Sequence, residues 1–534
     1  MNSTVLKFLM IWLLAATAHA ASSAHDHSAI AGAHKTPENL GEVNFEVNCK
    51  AEVRRPFDRA MALLHSFEYD AARNAFEQVA RGDPRCAMAH WGIAMSYVHP
   101  LWAPPGAEEF AAGKAAASKG QKMGSTSRKE RGLIEAAQSY YSTSSAEHPV
   151  RMLAYTQAME ELHDELPKDV EVASLYGLAL IATAPPDDRT YENQLKAGKL
   201  MGSFVALAPR HPGLTHYIIH GYDNFDLAHL ALDAARKYSV IAPDSAHALH
   251  MPSHIFERLG MWRDSIAMNQ RSTQAARNYA ASAGIQGHWD EELHGLDFML
   301  TAYLQVGDYK AALATREYVD SIDQVYPQNF KVAYVFAAAP ARYALERKDW
   351  VQAASLPLGH PGFPWQAFPW ERAINTFAVG YGKARLADTE GARASFGELG
   401  KLAEELEAQN LLYRALRVRI NAQILDAWIK LAENSTGGAL AAMQAAVQHE
   451  AAMLIPDGPI IPAAEILGDM QLALGNYAKA IEAYASLRQK RRRGAITGAL
   501  QAATELHDAS RITHYRALLE DISSGTSSWP AFAQ

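Results

Sequence analysis

Five histidines crowd two short stretches near the middle of the chain. His216 and His220 lie in THYIIHGYDN (215–224), and His247, His250 and His254 lie in SAHALHMPSHIFERLG (245–260). Imidazole is the commonest side-chain ligand for transition metals, and residues four apart share a helix face, so each HxxxH spacing lets one helix supply two ligands. Zn²⁺ and Cu²⁺ suit nitrogen donors of this kind. The interiors of the two pairs are Tyr217-Ile218-Ile219 and Met251-Pro252-Ser253. Neither pair is HExxH, so the glutamate that serves zinc proteases as a general base is missing. Two other readings stand beside the metal. One is a polar groove wall of hydrogen-bonded histidines, and the other is direct recognition of an anionic or aromatic ligand.

Other chemistry finds little footing. There is no Gly-rich phosphate loop, no GxSxG and no CxxC or CxxCH. A net charge of −8 lacks the basic balance of a nucleic-acid partner, so none is expected. MNSTVLKFLMIWLLAATAHA has one lysine, an apolar run and an Ala-His-Ala end, the pattern of a secretory signal peptide cleaved after Ala20. A soluble periplasmic or secreted protein follows, with no transmembrane segment after cleavage. Residues 21–44 are small, polar and aperiodic and read as a flexible leader containing His25, His27 and His34. Cys49 and Cys86 are the only cysteines. In an oxidising compartment they are a disulfide candidate, with two unrelated core residues as the alternative.

The elements that position the histidines are helical. Beyond residue 50, alanine is abundant, apolar residues recur three and four apart, and Gly/Pro/Asp breaks separate helix-length segments. FEYDAARNAFEQVARGDP (67–84), VGDYKAALATREYV (306–319), RKDWVQAASL (347–356) and LGDMQLALGNYAKAIEAYASL (467–487) share one pattern: an aromatic residue, then a small residue three positions later. This resembles the tetratricopeptide repeat (TPR), a helix–turn–helix unit of thirty-four residues. The segment 461–494 places Leu467, Gly468, Gly475, Tyr477, Ala480, Tyr484 and Leu487 at the signature positions. Residues 85–103 and the HMPSHIF run are also similar to a group of exported bacterial TPR proteins, a likeness that supplies no activity. The resemblance implies an all-α solenoid, a right-handed superhelix of helix pairs with loop insertions and a concave groove. The expected arrays are 45–356 and 373–534, divided by the Pro/aromatic-rich insertion 357–372.

In the repeat register one unit begins at Pro212 and the next at Ala246, so His216 and His250 take the same position, as do His220 and His254. The two pairs are one repeat apart. In the family resembled, that face lines the groove. His216, His220, His250 and His254 are therefore the candidate metal ligands, with His247, His294, Asp223, Asp297 and Arg342 lining the groove around them. Glu465 and Asp469 share the same register and read either as acid/base material or as a solvated face. Two functions follow. The first is an exported scaffold whose groove holds a peptide, protein or small molecule without chemistry. The second is a Zn or Cu metalloprotein, hydrolytic or oxidative if it is an enzyme.

Overall fold

A computed structural model describes residues 39–101, 104–142, 147–453 and 460–524. The expected signal peptide and nearly all of the leader lie outside them. The described chain is built of α-helices that pack on their neighbours in sequence. The fold is all-α and TPR-like. Among the described residues the one strand pairing is a two-residue parallel bridge, His288 to Val325 and Trp289 to Tyr326, which helical periodicity could not foreshadow. No described helix is long and apolar enough to cross a membrane.

The first helix pair shows why the sequence folds this way. Ala51–His65 buries Phe57, Ala60, Met61 and Leu64, and Tyr69–Gly82 buries Tyr69, Ala72, Phe76 and Val79. These are helical spacings of three and four, so each helix has one apolar stripe and the two stripes close on each other. The next helix, Ala87–Met95, meets the pair through Gly92, where a Cβ would lie 2.4 Å from the Phe76 ring. The small residue is needed for that approach. Gly468 stands in the same relation to Tyr484, with a Cβ 2.4 Å from its ring.

The chain forms two compact units that part between Gly284 and Ile285. In the first, Phe45, Phe57, Phe76, Trp91, Tyr176, Tyr217 and Phe256 belong to one core. Cys49 and Cys86 are disulfide-bonded there, with Cα atoms 5.1 Å apart. The second unit has its own core around Leu293, Leu300, Phe336, Phe377, Tyr381 and Trp428. Residues 357–372, expected to divide two arrays, lie inside this second unit. Phe363 and Trp365 are buried in its core, and the Trp365 indole nitrogen donates to the Gly359 carbonyl at 3.1 Å. The aromatic residues of the insertion thus find a place within one core.

Candidate metal centre

His216 and His220 sit on the helix Pro212–Gly221. Pro212 occupies its first turn, where a missing N–H costs nothing, and the His211 ring accepts from the Leu214 amide at 3.2 Å as an N-cap. The helix Ala246–His250 begins at Ser245, whose hydroxyl accepts from the Ala248 amide at 3.2 Å. Pro252 opens the following helix, Pro252–Leu259, yet Met251 between them keeps helical angles (φ −51°, ψ −38°). The proline removes a hydrogen bond without turning the chain, so His250 and His254 still share a face. Both helix starts, Pro212 and Ala246, fall where the repeat register puts them.

Three imidazoles converge. The His216 Nε2 lies 3.1 Å from the His220 Nε2 and 3.2 Å from the His247 Nε2, and one ring nitrogen from each of the three lies within 4.8 Å of the others. The structure therefore groups His247, expected as a groove neighbour, with the first HxxxH pair. The His216 Nδ1 is 2.7 Å from the His65 carbonyl. A carbonyl only accepts, so Nδ1 carries the hydrogen and the neutral ring turns the Nε2 lone pair toward its two neighbours. Burial holds His216 well below its usual range, and the closeness of the His220 imidazole adds to the effect. Burial and His254 likewise push His220 down to about 3. Both rings are neutral at ordinary pH, the form that binds metal.

Aromatic rings wall this trio. Phe67 packs on His216, His220 and His247 with centroids 4.4, 5.2 and 6.0 Å away, and Tyr238 stacks on His216 at 4.9 Å. His216 is fully buried, and His220 and His247 are partly so.

His250 and His254 form a second group. Their Nε2 atoms face each other at 2.9 Å. The His250 Nδ1 donates to Asn269 Oδ1 at 2.7 Å, from the helix Trp262–Ala283. The His254 Nδ1 donates to Asp223 Oδ2 at 2.9 Å, while Arg258 Nε donates to the other Asp223 oxygen at 3.0 Å. Burial opposes ionisation of Asp223, but Arg258 and His254 together hold its carboxyl well below the usual carboxylate range. Asp223 thus orients a histidine from behind.

A third cluster lies behind the trio and escaped the sequence reading. Glu171 accepts from His65 Nε2 and His211 Nε2, both at 2.9 Å, and His65 Nδ1 meets the Tyr217 hydroxyl at 2.9 Å. All three members are buried. Burial alone would raise Glu171, yet His211 and His65 hold it well below its usual value. These ring nitrogens are engaged by hydrogen bonds, so this cluster braces the trio, which hangs from the His65 carbonyl. A signal existed: Glu171 is the lone charge in the otherwise apolar helix VEVASLYGLALIA.

The other expected residues belong to the second unit. Arg342, expected to line the groove, where a lone arginine suits a ligand's carboxylate, is paired with Asp297 and also reaches the Tyr334 hydroxyl at 3.2 Å. Burial raises the Asp297 carboxyl, and Arg342 pulls against that. The chain itself therefore supplies the carboxylate. His294 is partly buried on the helix Asp290–Val306 with its ring against Phe298 at 5.3 Å. Glu465 and Asp469 are not on a solvated face: both are buried. Glu465 accepts from Arg492 at 2.6 Å, and Asp469 accepts from Lys348 at 2.8 Å and Tyr484 at 2.6 Å. Engaged in these bonds, both carboxylates serve as internal braces.

No family model matches the chain, and no curated protein matches it. Among solved structures, a monomeric variant of IFIT1 with Gppp-AAAA is similar at 9% identity and a TM-score of 0.35, over 89% of this chain and 96% of that one. A human IFIT1 dimer with m7Gppp-AAAA is similar at 10% identity and a TM-score of 0.34, over 82% and 90%. Likenesses this remote say nothing about what this chain binds.

Proposed function

We propose that this chain is an exported protein of the TPR type that binds a transition-metal ion, Zn²⁺ or Cu²⁺, through His216, His220 and His247. One observation carries the reading: the His216 Nε2 lies 3.1 Å from the His220 Nε2 and 3.2 Å from the His247 Nε2. A tetrahedral ion with Zn–N bonds of 2.0–2.1 Å separates its nitrogens by about 3.3 Å. The His65 carbonyl fixes the His216 tautomer in the way that outer partners fix metal-binding histidines. All-imidazole donors favour Zn²⁺ or Cu²⁺ over Mg²⁺ or Ca²⁺. Three protein ligands leave a fourth position for water or a small anion. Burial of His216 favours an ion over a peptide laid in an open groove. Export rests on the N-terminal sequence and agrees with the Cys49–Cys86 disulfide.

The test is elemental analysis of the untagged protein after incubation with Zn²⁺ or Cu²⁺ and desalting, beside a His216→Ala/His247→Ala variant whose fold is checked by circular dichroism. Bound metal that falls by one equivalent in the variant supports the reading. A wild-type chain with no metal above background overturns it.

A further inference from the structure

We infer, on the metal-binding reading above, that Glu171 is the counter-charge of the bound ion, a positioning residue that acts on the trio through His65. The hydrogens around it can be placed. The Leu214 amide donates to the His211 Nδ1 at 3.2 Å, so Nε2 carries that ring's one hydrogen and gives it to Glu171. His65 donates from Nε2 to the other carboxylate oxygen, and burial pushes this ring below its usual range in spite of Glu171. The neutral His65 ring then accepts the Tyr217 hydroxyl's hydrogen bond on Nδ1. Two neutral rings and one carboxylate leave a net negative charge, on a side chain that is 3% exposed. Among the described residues no lysine or arginine bonds to Glu171. Lys129, which like Glu171 acts on Asp58, is paired with Asp169 at 3.1 Å.

A second source of negative potential meets the carboxylate at the same residue. His65 ends the helix Ala51–His65, whose last carbonyls lack partners within the helix and form the negative end of its dipole. The His65 carbonyl accepts from the His216 Nδ1 at 2.7 Å, so that helix end bears on the ligand ring itself. Carboxylate and helix end thus stand together behind His216, whose ring is neutral. A buried carboxylate is costly unless a cation answers it, and a divalent ion on the far side of His216 does so. Bracing alone does not call for this charge balance. An amide at 171 keeps the shape, with an oxygen that accepts from one histidine and a nitrogen that can donate to the other once its tautomer changes. What an amide cannot supply is the charge.

The experiment measures two affinities on the full mature chain as wild type, Glu171→Gln and Glu171→Asp. Zn²⁺ affinity is read by competition with a chelator, and azide affinity of the Cu²⁺ form by absorption. Glu171→Gln should weaken Zn²⁺ by about 10–100-fold, with the saturating stoichiometry unchanged. It should tighten azide severalfold, because loss of a negative charge favours an anion at the fourth position. Glu171→Asp keeps the charge and should recover most of the lost Zn²⁺ affinity. Damaged geometry alone weakens metal and azide together, and that result overturns the counter-charge. So does wild-type Zn²⁺ affinity in Glu171→Gln, and in both cases the trio still stands. Calorimetry of wild type needs no variant to fold. At pH 6, Zn²⁺ uptake in buffers of different ionisation enthalpy should release well under one proton, since the negative charge is already in place. Release of a full proton overturns the inference. No metal in wild type overturns the metal-binding reading itself, and the role of Glu171 with it.

Discussion

At the scale of single residues, Phe67 has the most unusual backbone at the site. It links the helices Ala51–His65 and Tyr69–Gly82 in a left-handed conformation, φ +59°. The Glu68 amide donates to the Leu63 carbonyl at 3.0 Å and the Phe67 amide to the Leu64 carbonyl at 3.1 Å, the helix-ending pattern in which glycine is the usual left-handed residue. Phenylalanine there costs about 1–2 kcal/mol of backbone strain, whereas truncating a buried phenylalanine costs about 3–5 kcal/mol. The ring outweighs the strain, and that ring is what covers the three imidazoles. Phe67→Gly should therefore lower stability by about 2 kcal/mol in urea unfolding despite relieving the backbone. It should also speed the transfer of bound metal to a chelator by admitting water, with stoichiometry unchanged. An unchanged transfer rate would remove Phe67 from any role in sealing the site.

At the scale of elements, two helices make the packing argument testable. Gly92 lies inside Ala87–Met95, where helix propensity alone favours Gly→Ala by about 1 kcal/mol. The Cβ would meet the Phe76 ring at 2.4 Å, and overpacking of that kind costs about 1–3 kcal/mol. Gly92→Ala should be destabilising, and a rise in melting temperature would refute the close contact. In the helix Pro369–Arg385, Glu371 is fully buried, and neither carboxyl oxygen makes a hydrogen bond among the described residues. Burial pushes it up to about 7, against the pull of Arg414. A carboxyl raised on folding gives its full stability below the unfolded value near 4.5 and loses it as pH climbs through 7. Glu371→Gln should thus gain about 1–3 kcal/mol over wild type at pH 8 and little at pH 5. Equal gains at both pH values would show that the carboxyl does not titrate there. Much of this scale was legible beforehand. The helix starts at Pro212 and Ala246 followed from the fixed thirty-four-residue period, which needs no knowledge of tertiary contacts. The placement of His247 beside His216 was not legible, because a shared helix face does not fix where a ring nitrogen points. Nor were His65, Glu171 and His211, which meet across more than a hundred residues of chain with no period to mark them.

For the molecule as a whole, everything that builds the proposed centre comes from the first unit. His216, His220 and His247 and their brace at His65, Glu171 and His211 all precede Gly284. The Cys49–Cys86 disulfide is in the same unit and joins residues 37 apart, a cross-link worth up to about 4 kcal/mol by loop entropy. A ligand that binds only the folded state stabilises it by about 2.7 kcal/mol at a hundred times its dissociation constant. Metal and disulfide should therefore act on the same part of the chain. Hydrogen exchange read by mass spectrometry resolves where. Zn²⁺ should slow exchange in peptides covering 212–221 and 246–250, held together by the shared ion. Reductant should speed exchange in peptides around residues 47–95 of the same unit. Protection by Zn²⁺ that falls chiefly on peptides after residue 285 would move the metal out of the histidine centre, because ligation by these imidazoles must first restrain the helices that bear them.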